Sequence, residues 1–222
     1  MSLKEQTSYT SRGAEEYNWF RSFFQILVCK FIYMLRYKIV YRLEVHGKEN
    51  IPQNNDYIVA SNHLSTLDPP LVCAVMPRNV AFMAKKELFD IWSLRLFLNW
   101  LGAFAVNREK LGPSTIKTVK AIKDSEWVFG IFPQGTREEP GTISGVTKGF
   151  ASIAKITKCG ILPVGITGTN EVKRLPFTGK IIVNIGKVIP YSEDIDQMVA
   201  SWGKTIQELT GFKYIQDKKT DE

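Results

Sequence analysis

The sequence predicts an α/β domain with a mostly parallel central sheet flanked by helices. Three observations carry this reading. Short β-branched runs alternate along the chain with stretches of helical periodicity. Clusters of Asn, Pro and Gly punctuate the changes between them. Two polar motifs directly follow strand-like runs, where folds of this class usually keep their chemistry. With 222 residues the chain suffices for one domain with a substantial core, plus a short appendage.

Residues 1–17 are polar and are expected to be flexible. Residues 18–42 mix Arg21, Lys30, Arg36, Lys38 and Arg42 with Trp19, Phe20, Phe23, Phe24, Phe31, Tyr33 and Tyr37. That mixture predicts an amphipathic helix over about 19–41. The α/β domain is expected over 43–222. It opens with a short strand at 43–47 and a turn at 50–56 containing Pro52. Residues 57–61 read as a buried strand from their β-branched content. Pro69 and Pro70 then open a helix, with Asp68 at the N-cap position. Another strand is expected at 80–84. Residues 88–101 carry apolar side chains all around the helix, which predicts burial in the core or in lipid, the core reading being preferred. Residues 102–108 form a strand ending in Arg108. A helix starts at Pro113, with Ile116, Val119 and Ile122 at helical spacing. Strands at 127–132, 161–167 and 181–189 surround a helix at 149–158. From Asp194 onward, Ile195, Met198, Val199, Trp202, Ile206 and Leu209 again recur at helical spacing.

The chain carries 29 Lys+Arg against 22 Asp+Glu, a net charge of +7. That surplus suits an anionic partner: nucleic acid, an anionic bilayer or a phosphorylated substrate. Because basic residues alternate with bulky apolar ones, 18–42 favours a lipid interface, although a solvated face on a core helix has the same pattern. The apolar stretch at 23–29 is broken by Gln25 and ended by Lys30. It falls well short of the about 20 residues that a span requires. Attachment in the interface plane is therefore expected, rings inward and cations near the headgroups. Cys29, Cys73 and Cys159 stand far apart, without a metal-ligand spacing or a disulfide framework, so no metal site is expected. No signal peptide is read.

Two segments can carry chemistry. The first is Asn62-His63-Leu64-Ser65-Thr66-Leu67-Asp68. His63 can serve as general base, with Asp68 holding its other nitrogen. On an ideal helix five residues separate these side chains by about 140°, so they meet only if the chain turns between them. The same spacing also fits Asp68 as a helix cap and His63 in a local hydrogen bond. His46, the other histidine, has no acidic neighbour at a useful spacing. The second segment is Phe132-Pro133-Gln134-Gly135-Thr136-Arg137. Its Gly lets the backbone turn around an anion, its Thr offers a hydroxyl and its Arg a planar fork suited to phosphate. An ordinary Pro-Gly turn with an exposed Arg fits the hexapeptide equally well.

In order, His63-x4-Asp68, the strand ending in Arg108, the 132–137 hexapeptide and Leu162-Pro163-Val164 resemble the glycerolipid acyltransferases, and most closely the bacterial 1-acyl-sn-glycerol-3-phosphate acyltransferases. Lys85-Lys86-Glu87-Leu88 and Thr147-Lys148-Gly149 are also similar. The resemblance implies acyl transfer onto the free hydroxyl of lysophosphatidate, giving phosphatidate. Its co-substrate would be an acyl carrier protein or CoA thioester, with no further cofactor. His63 and Asp68 would be the catalytic dyad. Arg108, Gly135, Thr136, Arg137 and Lys148 would bind the acceptor phosphate, while Asn62, Gln134, Pro163 and Val164 would line the site. It implies a peripheral, monotopic enzyme at the cytoplasmic face of the cell membrane, an anionic membrane surface as partner and no nucleic acid. One departure stands out. Members generally carry Glu where this chain has Gln134, which keeps an acceptor oxygen and loses the charge.

Other enzyme classes lack their signatures. There is no G-x-S-x-G elbow, Walker A loop or G-x-G-x-x-G fingerprint, and the S-x-x-K matches at Ser152 and Ser201 have no companion motifs. Glycerol-3-phosphate or another lysolipid remains an alternative acceptor, and a non-catalytic membrane lipid-binding protein is the alternative outside enzymology. Chain-length preference, choice of donor and oligomeric state are not written in these motifs.

Overall fold

The computed structural model describes residues 9–106, 112–171 and 179–216. After a 3₁₀ turn at Ala14–Glu16 comes α1 (Trp19–Gln25), then a π-helical stretch (Ile26–Tyr33) and α2 (Met34–Tyr41). There follow β1 (Glu44–His46), β2 (Tyr57–Ser61), α3 (Asp68–Val75), β3 (Val80–Lys85), α4 (Trp92–Trp100), β4 (Phe104–Val106), α5 (Pro113–Lys123) and β5 (Val128–Ile131). The chain ends with β6 (Thr142–Ile143), α6 (Gly149–Thr157), β7 (Gly160–Thr167), β8 (Ile182–Ile185), α7 (Ile195–Thr210) and β9 (Lys213–Tyr214). The fold is mixed α/β with mostly parallel strands, as expected. It divides into two compact units, Met1–Leu35 with Pro69–Ile131 and Arg36–Asp68 with Phe132–Glu222.

In the first unit β3 pairs in parallel with β5 on one side and β4 on the other. Gly130 lies where a Cβ would meet the Phe82 ring at 2.6 Å, so the close packing across β3 and β5 requires glycine. The α5 face containing Val119 and Ile122 is buried, which matches its helical spacing. Gln25, the residue that interrupts the apolar stretch, is a buried strut. Its amide donates to the carbonyls of Val80 (2.9 Å) and Leu101 (2.7 Å) and accepts from the Val80 N–H (2.9 Å). A buried backbone polar group left unpaired costs about as much as a lost hydrogen bond, which explains a polar residue at this position.

Two expectations change in this unit. The segment ahead of α1 was expected to be loose, yet Arg12 and Tyr17 are buried. The Arg12 amide donates to Thr118 Oγ1 at 3.0 Å and its guanidinium donates to the Ala103 carbonyl, while the Tyr17 ring packs on Trp127. Burial pulls the Arg12 guanidinium down to about 10. Residues 88–101 were expected to form a core helix. Instead a 3₁₀ turn at Lys86–Phe89 precedes α4, which has no buried residue, and Trp92 is 70% exposed. The reason is its limited packing partner: Phe97 and Trp100 contact Phe20 and Phe24 of α1 edge-on, and the opposite side stays uncovered. Trp19 is 77% exposed and Phe31 65%. No helix among the described residues is long and apolar enough to cross a membrane.

In the second unit the strand order is β1-β8-β7-β2, with β7–β8 the one antiparallel pair in that set. β2 is buried along its whole length, as its β-branched sequence predicts. One side of this sheet is covered by residues of α6, including Phe150 and Ile153, and of α7, including Trp202 and Ile206. The Asp194 side chain caps α7 by accepting from Gln197 N–H at 2.9 Å, and Gly211 ends it with φ 75°. The strand expected over 181–189 stops at Ile185, and Ile189 returns only as an isolated antiparallel bridge to Ile161. β6 and β9 pair in parallel and had no sequence signal, since two residues are too few to show a period.

Candidate active site

The site is built where β2 ends. Asn62 is fully buried and behaves as an extension of the β2–β7 ladder: its side chain donates to the Ile166 carbonyl (2.9 Å) and accepts from the Ile166 N–H (2.7 Å). The next residue, His63, leaves the strand. The chain then turns, with the Asp68 N–H donating to the Ser65 carbonyl at 3.0 Å and the Leu67 N–H to Ser65 Oγ at 3.3 Å. Tyr37 steadies the turn by donating its hydroxyl hydrogen to the Leu67 carbonyl at 2.8 Å.

This turn brings His63 Nδ1 to 2.8 Å from Asp68 Oδ2. The same oxygen accepts from the amides of Leu64 (2.6 Å) and Ser65 (2.7 Å). Asp68 was expected to be the N-cap of α3. It is instead the first helical residue, and its side chain points back to the preceding turn. Pro69 and Pro70 have no N–H, so the start of α3 has little for a cap to satisfy. Asp68 is fully buried, and its Oδ1 has no hydrogen-bond partner among the described residues. A carboxylate oxygen facing Nδ1 fixes the tautomer with the proton on Nδ1, leaving the lone pair on Nε2.

The hexapeptide loop lies against the histidine. The Phe132 ring stacks on the imidazole at 4.1 Å and 19°. Gln134 is buried, and its Oε1 accepts from His63 N–H at 3.1 Å. Glu138 N–H donates to the His63 carbonyl at 2.9 Å, and its carboxylate accepts from Ser144 Oγ at 2.8 Å. Gly135 takes φ 70°, and its N–H closes the turn on the Phe132 carbonyl at 2.9 Å. A Cβ on Gly135 would meet nothing within 4 Å, so the requirement for glycine is conformational, not steric. Thr136 and Arg137 are exposed at the tip.

The remaining sequence-predicted residues are distributed unevenly. Arg108 lies outside the described residues. Lys148 sits just before α6 and pairs with Asp196 at 2.8 Å, both side chains more than half exposed. Pro163 and Val164 are buried within β7, where they pair with Ala60 and Ser61 of β2 and so support the strand that carries the motif. Behind that strand, the buried Trp202 indole donates to the Ala60 carbonyl at 3.0 Å. Sequence reasoning missed Tyr37, Glu138 and Trp202. Tyr37 was hidden among the interfacial aromatics, and only its burial separates it from its exposed neighbours.

Comparisons with known proteins bear on the family and the fold. A family model described as Acyltransferase matches residues 42–167. A Bacillus subtilis protein named 1-acyl-sn-glycerol-3-phosphate acyltransferase is 33% identical over 177 residues, covering 75% of this chain and 87% of the relative. A protein of the same name from Streptococcus pneumoniae is 34% identical over 170 residues, and the match spans 75% of this chain and only 62% of that relative. The crystal structure of the 1-acyl-sn-glycerophosphate (LPA) acyltransferase from Thermotoga maritima superposes with a TM-score of 0.70 at 25% identity, covering 86% of this chain and 80% of that one.

Proposed function

The chain belongs to the acyltransferase family and is an O-acyltransferase, and on that premise we propose that it transfers a fatty acyl group from an acyl carrier protein or CoA thioester to the free hydroxyl of 1-acyl-sn-glycerol-3-phosphate, giving phosphatidate. The names of the bacterial relatives support this acceptor. The observation that carries the mechanism is the 2.8 Å contact between His63 Nδ1 and the buried Asp68.

His63 Nε2 takes the hydroxyl proton as the acceptor oxygen attacks the thioester carbonyl. The tetrahedral intermediate then expels the thiolate, which recovers the proton from the imidazolium. No acyl-enzyme forms, and His63 ends each turnover neutral. Asp68 holds the imidazole orientation and stabilises the imidazolium, a role suited to a carboxylate whose Oδ1 has no other donor among the described residues. The Phe132 ring face stacked on the imidazole favours the same cation. Arg137, Thr136 and the turn at Gly135 bind the acceptor phosphate, together with Arg108. Lys148 would join them only by leaving Asp196, and an exposed ion pair of this kind holds it by about 0–1 kcal/mol.

The enzyme works from a membrane surface. Support comes from the uncovered apolar side chains of α1, the π-helical stretch and α4, Trp19, Phe23, Phe31 and Trp92 among them. Basic residues interleaved with them would each add roughly 1 kcal/mol near anionic lipid. A donor made inside the cell puts this surface on the cytoplasmic face.

The test is acyl transfer by purified protein in mixed micelles, offering lysophosphatidate or glycerol-3-phosphate with each thioester donor, beside folded His63→Ala. A positioned base contributes about 10²–10⁴-fold, so phosphatidate formation should fall at least about 10²-fold in the variant. More than half the activity retained would remove His63 from its role. Transfer to glycerol-3-phosphate but not to lysophosphatidate would reassign the acceptor.

A further inference from the structure

The loop that carries the phosphate-binding residues also grips the base. Phe132 covers one face of the His63 imidazole, Gln134 Oε1 accepts the His63 N–H and Glu138 N–H donates to the His63 carbonyl. Gly135, Thr136 and Arg137 lie between those two hydrogen-bonding residues in sequence. The segment assigned to the acceptor phosphate is thus tied at both ends to the main chain of one residue, the base.

From this we infer that Gln134 is a positioning residue, whose side-chain carbonyl sets the main chain of His63 in register with the phosphate-binding turn. The inference rests on the reading of His63 as the base. Its physical ground is a part-buried backbone N–H whose acceptor is supplied by a side chain that is itself 5% exposed. Removing an acceptor from such a site leaves the donor unsatisfied and the loop free to shift. The requirement is an acceptor oxygen at this reach. Charge is secondary: Gln and Glu side chains both end in an oxygen at the same distance from the backbone. Leu has similar bulk and no acceptor.

The experiment compares Gln134→Leu and Gln134→Glu with the parent, reading kcat, acceptor KM and hydrogen exchange at the His63 amide. Displacing a reacting group by about 1 Å can cost on the order of 10²-fold in rate. Gln134→Leu should therefore lower kcat about 10–100-fold with acceptor KM within about threefold. Its His63 amide should exchange at least about tenfold faster. Gln134→Glu should bring kcat back to within about fivefold of the parent and restore the protection. A raised KM with kcat retained in Gln134→Leu would make Gln134 an acceptor-binding group and overturn the inference, as would unchanged exchange at His63. If Gln134→Leu does not fold, Gln134→Met supplies a flexible side chain that also lacks an oxygen. Failure of the parent to acylate lysophosphatidate would count against the acceptor reading alone, because the exchange measurement does not depend on turnover.

Discussion

Asp68 meets His63 through the same oxygen that organises the turn between them: Oδ2 lies 2.8 Å from Nδ1 and also accepts the amide hydrogens of Leu64 and Ser65. The bracing of the turn and the contact with the imidazole therefore occur together in one group. The backbone bonds fix the carboxylate, and the carboxylate fixes the imidazole.

Asp68→Asn should separate these roles. An amide oxygen can still accept from Leu64 and Ser65, but the carboxylate that selects the Nδ1–H tautomer is gone. We expect kcat to fall about 10²–10⁴-fold, with little change in circular dichroism. A variant within threefold of the parent would show that the carboxylate is not needed.

Gly135 adopts φ 70° with open space around its Cβ direction. If this turn binds the acceptor phosphate as proposed, Gly135→Asn should fold and keep acceptor KM near the parent's, since Asn enters the left-handed region at modest cost, whereas Gly135→Val should raise acceptor KM about tenfold or more. Equal KM values for the two would mean that the loop does not depend on this backbone conformation.

Trp202 is fully buried and donates to the Ala60 carbonyl three residues before His63. Trp202→Phe keeps much of the ring and removes the donor, at an expected cost of about 1–3 kcal/mol in urea unfolding. Trp202→Ala should cost about 3–5 kcal/mol. Indistinguishable midpoints for Phe and wild type would refute the hydrogen bond's contribution.

Trp19 and Trp92 are the most exposed of the large apolar residues on α1 and α4. The double variant Trp19→Ser/Trp92→Ser should leave thermal stability within about 0.5 kcal/mol, because neither ring is packed in the core. Co-sedimentation with anionic vesicles should drop at least about tenfold. Undiminished vesicle binding would move the membrane contact elsewhere.

Much of the architecture was legible in residue order. β2 announced itself through Tyr57-Ile58-Val59-Ala60, and α7 through the spacing of Met198, Val199, Trp202 and Ile206. β6 and β9, two residues each, were not visible. The apolar wealth of α4 suggested core where the structure leaves it uncovered. Composition reports that a surface is apolar without saying whether anything covers it. Arg12 illustrates the reverse: a charged residue in a polar stretch is buried because Thr118 and the Ala103 carbonyl receive it.

By itself the sequence determined the kind of elements, the turn after β2, and the residue types at the site, because helical period, β-branching and proline act on neighbours a few residues away. The tertiary structure alone decided which of those residues touch. The contact of Gln134 with His63 spans 71 positions, that of Asn62 with Ile166 spans 104, and that of Trp202 with Ala60 spans 142. Contacts at such separations are selected by sheet register and by the need to satisfy buried polar groups, and local pattern has no access to either.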